Sequence, residues 1–290
     1  MNSTLEWIGF LQNDFSSNQQ SHHFNWGYAA FCSALVGLSG LVPIFILPNF
    51  QNNNNSSTKV SDNKDDKDAE EPPEDLIANS KYLRWMLSFA VGGLLGDVFF
   101  HLLPEAMQSV KTHEDSTSVG LCIIFGLLAF TIVEKIMQNF GLEQASGYLN
   151  LVANCVDNFN HGLAVGGAFI ISNKVGFMTT ACILIHEIPH EVGDFAILIK
   201  SGFSKSQAAK AQFSTALVGI LGAFVALALD SVVDWMMAIL IVPFTCGGFL
   251  HIALVSVLPD LMESKDIQDC FRIISGIVLG IVIMYGASMI

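Results

Sequence analysis

The chain has 290 residues, of which 52% are hydrophobic and only 13% are charged. That charged fraction is about half of what a soluble globular domain usually carries, and the mean hydropathy is +0.51. The 26 acidic and 13 basic residues give a net charge of −13. A chain this acidic, with a pI near 4.8, is not expected to bind nucleic acid. The composition therefore excludes an ordinary soluble domain and makes the positions of the few charges informative.

Apolar residues are gathered in runs of about 20, without the polar face that a soluble helix keeps. A helix of about 20 residues, rising 1.5 Å per residue, crosses roughly 30 Å of hydrocarbon. We therefore predict an all-α polytopic membrane protein with eight transmembrane helices in residues 27–290, preceded by a short polar segment, residues 1–26. The predicted spans are residues 27–49, 82–107, 118–140, 147–171, 175–200, 208–229, 235–258 and 270–289.

The basic residues are divided unevenly between the two sides of the predicted membrane. With eight spans, 11 of the 13 fall on one side, and only Lys111 and Lys174 fall on the other. The positive-inside rule places the first side in the cytosol, so both termini are expected in a lumen or outside the cell. The loop of residues 50–81 is asparagine-rich and then acidic, which predicts a disordered cytosolic linker. Weak collection of metal ions by its carboxylates is the alternative.

Two of the predicted spans carry clusters of ionisable residues, each of which costs a few kcal/mol inside a membrane and therefore indicates function. Asp157 and His161 lie four residues apart in the fourth span, and His186 and His190 repeat that spacing in the fifth. Such a spacing places both members of a pair on one helix face. Because the connection is short, the two helices are expected to be antiparallel, so the clusters should meet near the midplane. The other members are Asn158, Glu187 and Glu191.

Nitrogen and oxygen ligands of this kind suit a borderline divalent ion such as Zn²⁺ or Fe²⁺. Pro189 removes a backbone hydrogen bond within the fifth-span cluster, and interrupted helices at the midplane mark ion sites in transporters. Three other interpretations remain. The clusters could be a polar network that holds two helices together, residues 186–190 match the HExxH motif of zinc metalloproteases, or the protein could be a metal sensor in the membrane.

Three further ionisable residues follow one face of the second span at intervals of four. Asp97, His101 and Glu105 are interpreted as an entrance that attracts cations, the alternative being a water-exposed helix end. His251 in the seventh span is either an exit ligand or a core histidine. Glu134, near the end of the third span, is expected to reach the membrane interface.

These motifs resemble the ZIP (Zrt/Irt-like) family of zinc and iron transporters. The fifth-span signature HEXPHE is present as residues 186–191, and further likeness is found at residues 96–104 and 259–260, so that the resemblance covers all eight spans. The sequence is most similar to the ZIP-thirteen-like branch, whose fourth helix reads DNxxH where most of the subfamily has HNxxD. Here those positions are Asp157, Asn158 and His161.

The resemblance implies a 3+2+3 fold, in which the first and last three helices are inverted repeats around helices four and five. It also implies a homodimer in a Golgi, endoplasmic reticulum or vesicle membrane, and elevator-like transport of Zn²⁺ and/or Fe²⁺ without ATP. Two metal positions are implied. The first would be held by Asp157, His161, His186 and His190. The second would be held by Asn158, Glu187 and His190, with Glu191 nearby and a sixth-helix residue, Gln212, Ser214 or Thr215, contributing.

Overall fold

The computed structural model describes residues 26–46, 74–142, 144–228, 237–263 and 266–289. In these ranges the chain forms eight helices and no strand. The polar segment before residue 26 lies outside the described residues. The helices are α1 (Trp26–Leu38, a 3₁₀ turn at Ser39–Leu41, and Val42–Ile46), α2 (Glu74–Asp97, a π turn at Val98–Leu102, and Leu103–Gln108), α3 (His113–Asn139), α4 (Ala145–Ile171), α5 (Asn173–Lys200), α6 (Lys205–Ala228), α7 (a π turn at Met237–Ile241, Val242–His251, a π turn at Ile252–Val257, and Leu258–Met262) and α8 (Ile267–Ser288).

Six of these helices, namely α1, α2, α3, α6, α7 and α8, are long and apolar enough to cross a membrane. The remaining two are no shorter, since α4 has 27 residues and α5 has 28, and each is therefore about 40 Å long. Asparagine, histidine and acidic residues interrupt the apolar sequence near the middle of α4 and of α5. The chain is therefore a multi-pass membrane protein, and the two helices outside the group of six are the two that carry the clusters found in the sequence.

The predicted cytosolic linker overlaps the start of α2. Residues 50–73 of the linker lie outside the described residues, but the backbone is already helical from Glu74, inside the segment predicted as linker. One feature of the sequence explains this start. Pro72 and Pro73 precede the helix in the sequence, and proline is favoured next to a helix N-terminus.

A single residue, Ser172, connects α4 to α5. Its backbone is extended and its hydroxyl accepts a hydrogen bond from the Val175 amide at 3.2 Å, which satisfies one of the free donors at the start of α5. So short a connection makes α4 and α5 an antiparallel hairpin. The polar clusters of the two helices, centred about 13 and 16 residues from this turn, are thereby placed at similar depth.

Small residues allow the helices to approach closely. A Cβ atom at Gly162 of α4 would overlap the carbonyl group of Gly219 on α6, and one at Gly222 of α6 would overlap the carbonyl group of Phe159. In the same way, Gly276 and Gly280 of α8 leave no room for a side chain against α2. Small residues at intervals of four are the usual means by which helices pack in membranes, where lipid removes most of the hydrophobic gain from association.

The helices form two groups. Helix α4 packs most extensively on α6, and α6 packs on α1. In the other group, α2 packs on α8 and α3 packs on α7. Helix α5 contacts α4 on one side and α2 on the other, so that its polar residues face both groups.

Candidate metal centre

Three helices bring their ionisable residues to one place in the interior. Helix α2 contributes Asp97 and His101, α4 contributes Asp157 and His161, and α5 contributes the residues of its HEXPHE signature. Apart from His101, which is half-buried, the histidines and carboxylates of this cluster are buried. We call this cluster the metal centre. Its members are Asp97, His101, Asp157, His161, His186, Glu187, His190, Glu191 and Asp194.

Three overlapping groups within the metal centre have the geometry of metal ligands. Asp157, His161 and Glu187 form one, with the His161 Nε2 atom 3.3 Å from Asp157 Oδ2 and 3.1 Å from Glu187 Oε2. The second consists of His101, His161 and His186, and the third of Asp97, Asp157 and His190. In each group one donor atom from every residue lies within 4.8 Å of the others. Since Asp157 and His161 are each shared by two groups, the three form one continuous centre.

The backbone orients His186. Its Nδ1 atom lies 3.2 Å from the carbonyl oxygen of Cys182. Because a carbonyl oxygen can only accept a hydrogen bond, Nδ1 carries the hydrogen and Nε2 is left with its lone pair. Such an outer hydrogen bond is how proteins usually fix the tautomer of a metal-binding histidine. The His186 ring lies 4.5 Å from the ring of His101 and 5.0 Å from that of His161, measured between centroids. Three imidazoles from three helices therefore converge.

His190 lies on the other side of the centre, between two carboxylates. Its Nδ1 atom is 3.3 Å from Asp194 Oδ2, and its Nε2 atom is 4.0 Å from Asp97 Oδ2. The structure thus places Asp97, which the sequence assigned to an entrance, inside the metal centre with 1% of its surface exposed. A spacing of four within α2 indicates a shared helix face, but it does not show how far along α2 the centre lies.

A cavity of about 500 Å³ leads to the metal centre. Its walls combine apolar residues with polar ones that include Glu105, His101, His161 and His186, and we call it the histidine-lined cavity. Val175, near the α4–α5 turn, also lines it. Of the three ionisable residues on α2, His101 and Glu105 therefore line the cavity, while Asp97 lies deeper in the metal centre.

A hydrogen-bonded network lies beneath the centre. The Asn154 Nδ2 group donates to Asp194 Oδ2 at 2.8 Å and to Glu191 Oε2 at 3.3 Å. Asn158 donates to the backbone carbonyl of Asn154 at 3.2 Å and to its side-chain oxygen. Asn158 Oδ1 has no hydrogen-bond partner among the described residues. Asn154 and Asp194 were not selected from the sequence. The helical spacing could have identified both, because Asn154 is four residues from Asn158 and Asp194 is four residues from His190.

The three sixth-helix candidates differ in position. The Gln212 Nε2 group donates to Glu191 Oε2 at 2.7 Å and to the Glu191 carbonyl at 3.1 Å, and Gln212 is completely buried. Thr215 is also buried, but its hydroxyl donates to the Gln212 carbonyl at 2.7 Å. Ser214 is exposed, and its hydroxyl donates to the carbonyl of Ala211. Only Gln212 therefore contacts the metal centre through its side chain, and it does so by way of Glu191.

We expect Gln212→Leu to weaken zinc binding by about 10- to 100-fold, the usual cost of losing an outer-shell partner of a metal ligand. The physical reason is that the Glu191 carboxylate would lose its only donor from α6. Equilibrium binding of Zn²⁺ to the purified protein measures the effect. Ser214→Leu, two residues away on the exposed face, is the matched control and should bind zinc as the wild type does.

Many acceptor atoms of the metal centre have no hydrogen-bond partner within the described part of the chain. A buried acceptor without a donor costs free energy. A cation bound among several such atoms would compensate them together. The atoms concerned fit Zn²⁺ or Fe²⁺ as ligands, since they are imidazole nitrogens and carboxylate oxygens. They include Asp97 Oδ2, Asp157 Oδ1, His161 Nε2, His186 Nε2, both carboxylate oxygens of Glu187, and His190 Nε2.

His251 lies apart from the metal centre. Its Nε2 atom is 2.7 Å from Oε2 of Glu134 on α3, and it is completely buried. The expectation that Glu134 reaches the interface was wrong, because only 6% of this residue is exposed. The carboxylate turns inward since His251 and Ser256 of α7 offer it hydrogen-bond partners.

Comparison with known proteins agrees with the resemblance found in the motifs. The sequence model of the ZIP zinc transporter family matches residues 25–146 and 141–288. The zinc transporter ZIP13 homolog of Drosophila melanogaster is 38% identical over 339 aligned residues, covering 91% of this chain and 89% of the relative. Zinc transporter ZIP13 of Pongo abelii is 42% identical, with 88% and 77% covered. The human protein of that name is 38% identical, with 88% and 80% covered. The chain therefore belongs to the ZIP family of zinc transporters.

Proposed function

We propose that this chain carries Zn²⁺, with Fe²⁺ as a second candidate substrate, across an intracellular membrane through the metal centre of α2, α4 and α5. The observation that carries the proposal is the convergence, beside the histidine-lined cavity, of buried imidazole and carboxylate atoms without a hydrogen-bond partner among the described residues. The ZIP family consists of transporters rather than enzymes, so the match to HExxH is not interpreted as a protease site. Membership of this family also argues against a purely metal-sensing protein.

The proposed path begins at the histidine-lined cavity, whose negative charge at Glu105 attracts cations. The ion then passes to His101, His161 and His186, where three nitrogen atoms replace part of its water shell. Deeper, Asp157, Glu187, Asp97 and His190 supply carboxylate oxygens and a fourth imidazole. Because Asp157 and His161 belong to more than one ligand group, an ion can change groups without leaving all its ligands. Two ions bound at once, one at each end of the centre, are part of the proposal.

An inverted repeat is supported by α2 and α7. Each contains a π turn followed at once by a Leu-Pro-acid sequence, Leu103-Pro104-Glu105 in α2 and Leu258-Pro259-Asp260 in α7. The packing of α2 on α8 and of α3 on α7 is the pairing that such a repeat requires, since it relates helix two to seven and three to eight. The 3+2+3 arrangement, eight membrane crossings, and both termini on the lumenal side belong to this proposal.

The division of the helices into two groups supports an elevator-like mechanism. The group of α1, α4 and α6, together with α5, would carry the metal past the group of α2, α3, α7 and α8. His101 and Asp97 on α2 would then release the ion as α4 and α5 move away, because these two ligands belong to the other group. A homodimer and a Golgi, endoplasmic reticulum or vesicle location, both implied by the family resemblance, complete the proposal.

The test is ion flux in proteoliposomes that contain the purified full chain. We expect saturable uptake of ⁶⁵Zn without ATP, and competition by Fe²⁺ in proportion to its affinity. Uptake of ⁵⁵Fe in the reverse experiment shows whether iron is itself carried or only blocks the path. Empty liposomes are the control for leakage. Absence of uptake of both metals from well-folded protein would contradict the proposal.

A further inference from the structure

A second polar cavity, of about 330 Å³, lies at the opposite end of the helices from the histidine-lined cavity. It is built from the C-terminal parts of α3, α5 and α7 and the first turn of α4. Its walls include Glu134, His251, Ser256, Asp260 and Lys200, and we call it the lysine-lined cavity. None of these residues belongs to the metal centre, so its collection of nitrogen and oxygen donors calls for a separate explanation.

The hydrogen bonds around His251 determine which ring nitrogen carries a proton. The Thr131 hydroxyl donates to the carbonyl of Leu127 at 2.8 Å, so its single proton is already used. The His251 Nδ1 atom, 3.0 Å from the Thr131 oxygen, must therefore donate to it. In a neutral ring, Nε2 is then an acceptor, yet it lies only 2.7 Å from a carboxylate oxygen of Glu134. Two acceptors this close need a proton or a metal ion between them.

From this geometry we infer that Glu134, His251 and Ser256 form an additional binding site for a divalent cation that prefers nitrogen and oxygen ligands, such as Zn²⁺. With zinc–ligand bonds of about 2 Å in tetrahedral geometry, two ligand atoms lie about 3.4 Å apart. The Glu134 carboxylate would therefore need to move by less than about 1 Å. The Ser256 hydroxyl lies 2.9 Å from Glu134 Oε2 and 3.3 Å from His251 Nε2, and so provides a third oxygen.

Lys200 places a positive charge of the protein itself beside this site. Its Nζ atom lies 2.7 Å from Asp260 Oδ2 and 2.8 Å from the carbonyl oxygen of Ser256. The ammonium group is well shielded, with 20% of the side chain exposed, whereas Asp260 is 61% exposed. A metal ion bound at Ser256 would be repelled by this ammonium group. Lys200 on α5 therefore competes with the metal for the α7 residues in this conformation.

A polar stripe on α4 connects the additional site with the metal centre. Ser146, Asn150, Asn154 and Asn158 follow one another at intervals of four, on one face of the helix. Asn154 and Asn158 belong to the network beneath the metal centre, and Ser146 lines the lysine-lined cavity. Between them, Asn150 is completely buried, and both its polar side-chain atoms lack a partner within the described residues. That the additional site serves metal in transit rests on the proposed function, whereas metal binding by itself does not.

The first test compares zinc stoichiometry in matched variants of the purified full chain. We expect Glu134→Gln, which keeps the side-chain volume, to bind one Zn²⁺ fewer per chain than the wild type. The same difference is expected in a His161→Ala/His190→Ala background, where the metal centre is impaired. His251→Leu should reproduce the loss, and His113→Leu, at an exposed histidine, should not. Equal stoichiometry with and without Glu134→Gln in both backgrounds would overturn the site. Failure of the wild type to give flux would instead overturn the proposed function and leave this difference standing.

The second test predicts tighter zinc binding, whereas the first predicts the loss of a bound zinc ion. Lys200→Met keeps most of the apolar stem but removes the ammonium group, and we expect zinc to bind the additional site about 10-fold more tightly. Lys210→Met, at an exposed position on α6, is the control and should leave affinity unchanged. If Lys200 had only a structural role, Lys200→Met would bind zinc more weakly or as the wild type does. Either result would contradict the interpretation of Lys200 as a competing cation.

Discussion

Replacing His161 with alanine is expected to lower zinc flux by at least about 100-fold, which exceeds the usual effect of removing an outer-shell partner. His161 belongs to two of the three ligand groups and lies within 3.3 Å of the carboxylate oxygens of Asp157 and Glu187. Its removal therefore takes one nitrogen from both groups. It also leaves two buried carboxylates close together without the positive or metal-bound partner between them. Initial rates of ⁶⁵Zn uptake in proteoliposomes measure the loss.

Two comparisons make the His161 result specific. His113→Ala removes an exposed histidine at the start of α3 and should leave the flux unchanged. Glu187→Gln preserves the shape of the neighbouring ligand but removes its charge, so partial binding with a greatly reduced flux is expected. Wild-type flux in His161→Ala, with the protein inserted and folded, would contradict the assignment of the metal centre.

Much of the fold could be predicted because membrane helices follow a simple physical rule. Each run of about 20 apolar residues satisfies its backbone hydrogen bonds internally, so length and composition were enough to find α1, α3, α6 and α8. The polar helices α4 and α5 were found in the same way, although their polar residues reduce their apolar character. The ends were less certain. The start of α2 at Glu74 depends on a local signal, the two preceding prolines, that the strong acidic character of the linker concealed.

The metal centre could be predicted only in part, because helical spacing gives the face of a residue but not its depth. Asp157, His161, His186 and His190 are brought together by the α4–α5 hairpin, whose short turn is visible in the sequence. Asp97 is different. Its place beside His190 depends on how α2 packs against α5, and no spacing within α2 reveals that contact. The pairing of Glu134 with His251 likewise joins two residues on different helices, 117 positions apart in the chain.

The position of α4 relative to α6 depends on the absence of side chains at their contact. Gly162 directly follows His161, and a Cβ atom there would overlap the backbone carbonyl of Gly219 and approach Ala223 N at 2.9 Å. Backbone atoms cannot move aside as the end of a flexible side chain can. A larger residue at this position must therefore separate the two helices, and it would displace the adjacent metal ligand with them.

We expect Gly162→Leu to destabilise the protein by at least about 3 kcal/mol, the upper part of the range for overpacked interiors. For a protein of this size that corresponds to a fall of about 10 °C in the unfolding temperature, measured on the detergent-purified protein. Gly167→Leu is the matched control, because a Cβ atom at Gly167, on the same helix, has no neighbour within 4 Å. An equal loss in both variants would show that leucine is harmful on α4 for reasons unrelated to α6. Loss confined to Gly162→Leu, together with weaker zinc binding in the folded fraction, would show that the α4–α6 contact holds His161 in its place in the metal centre.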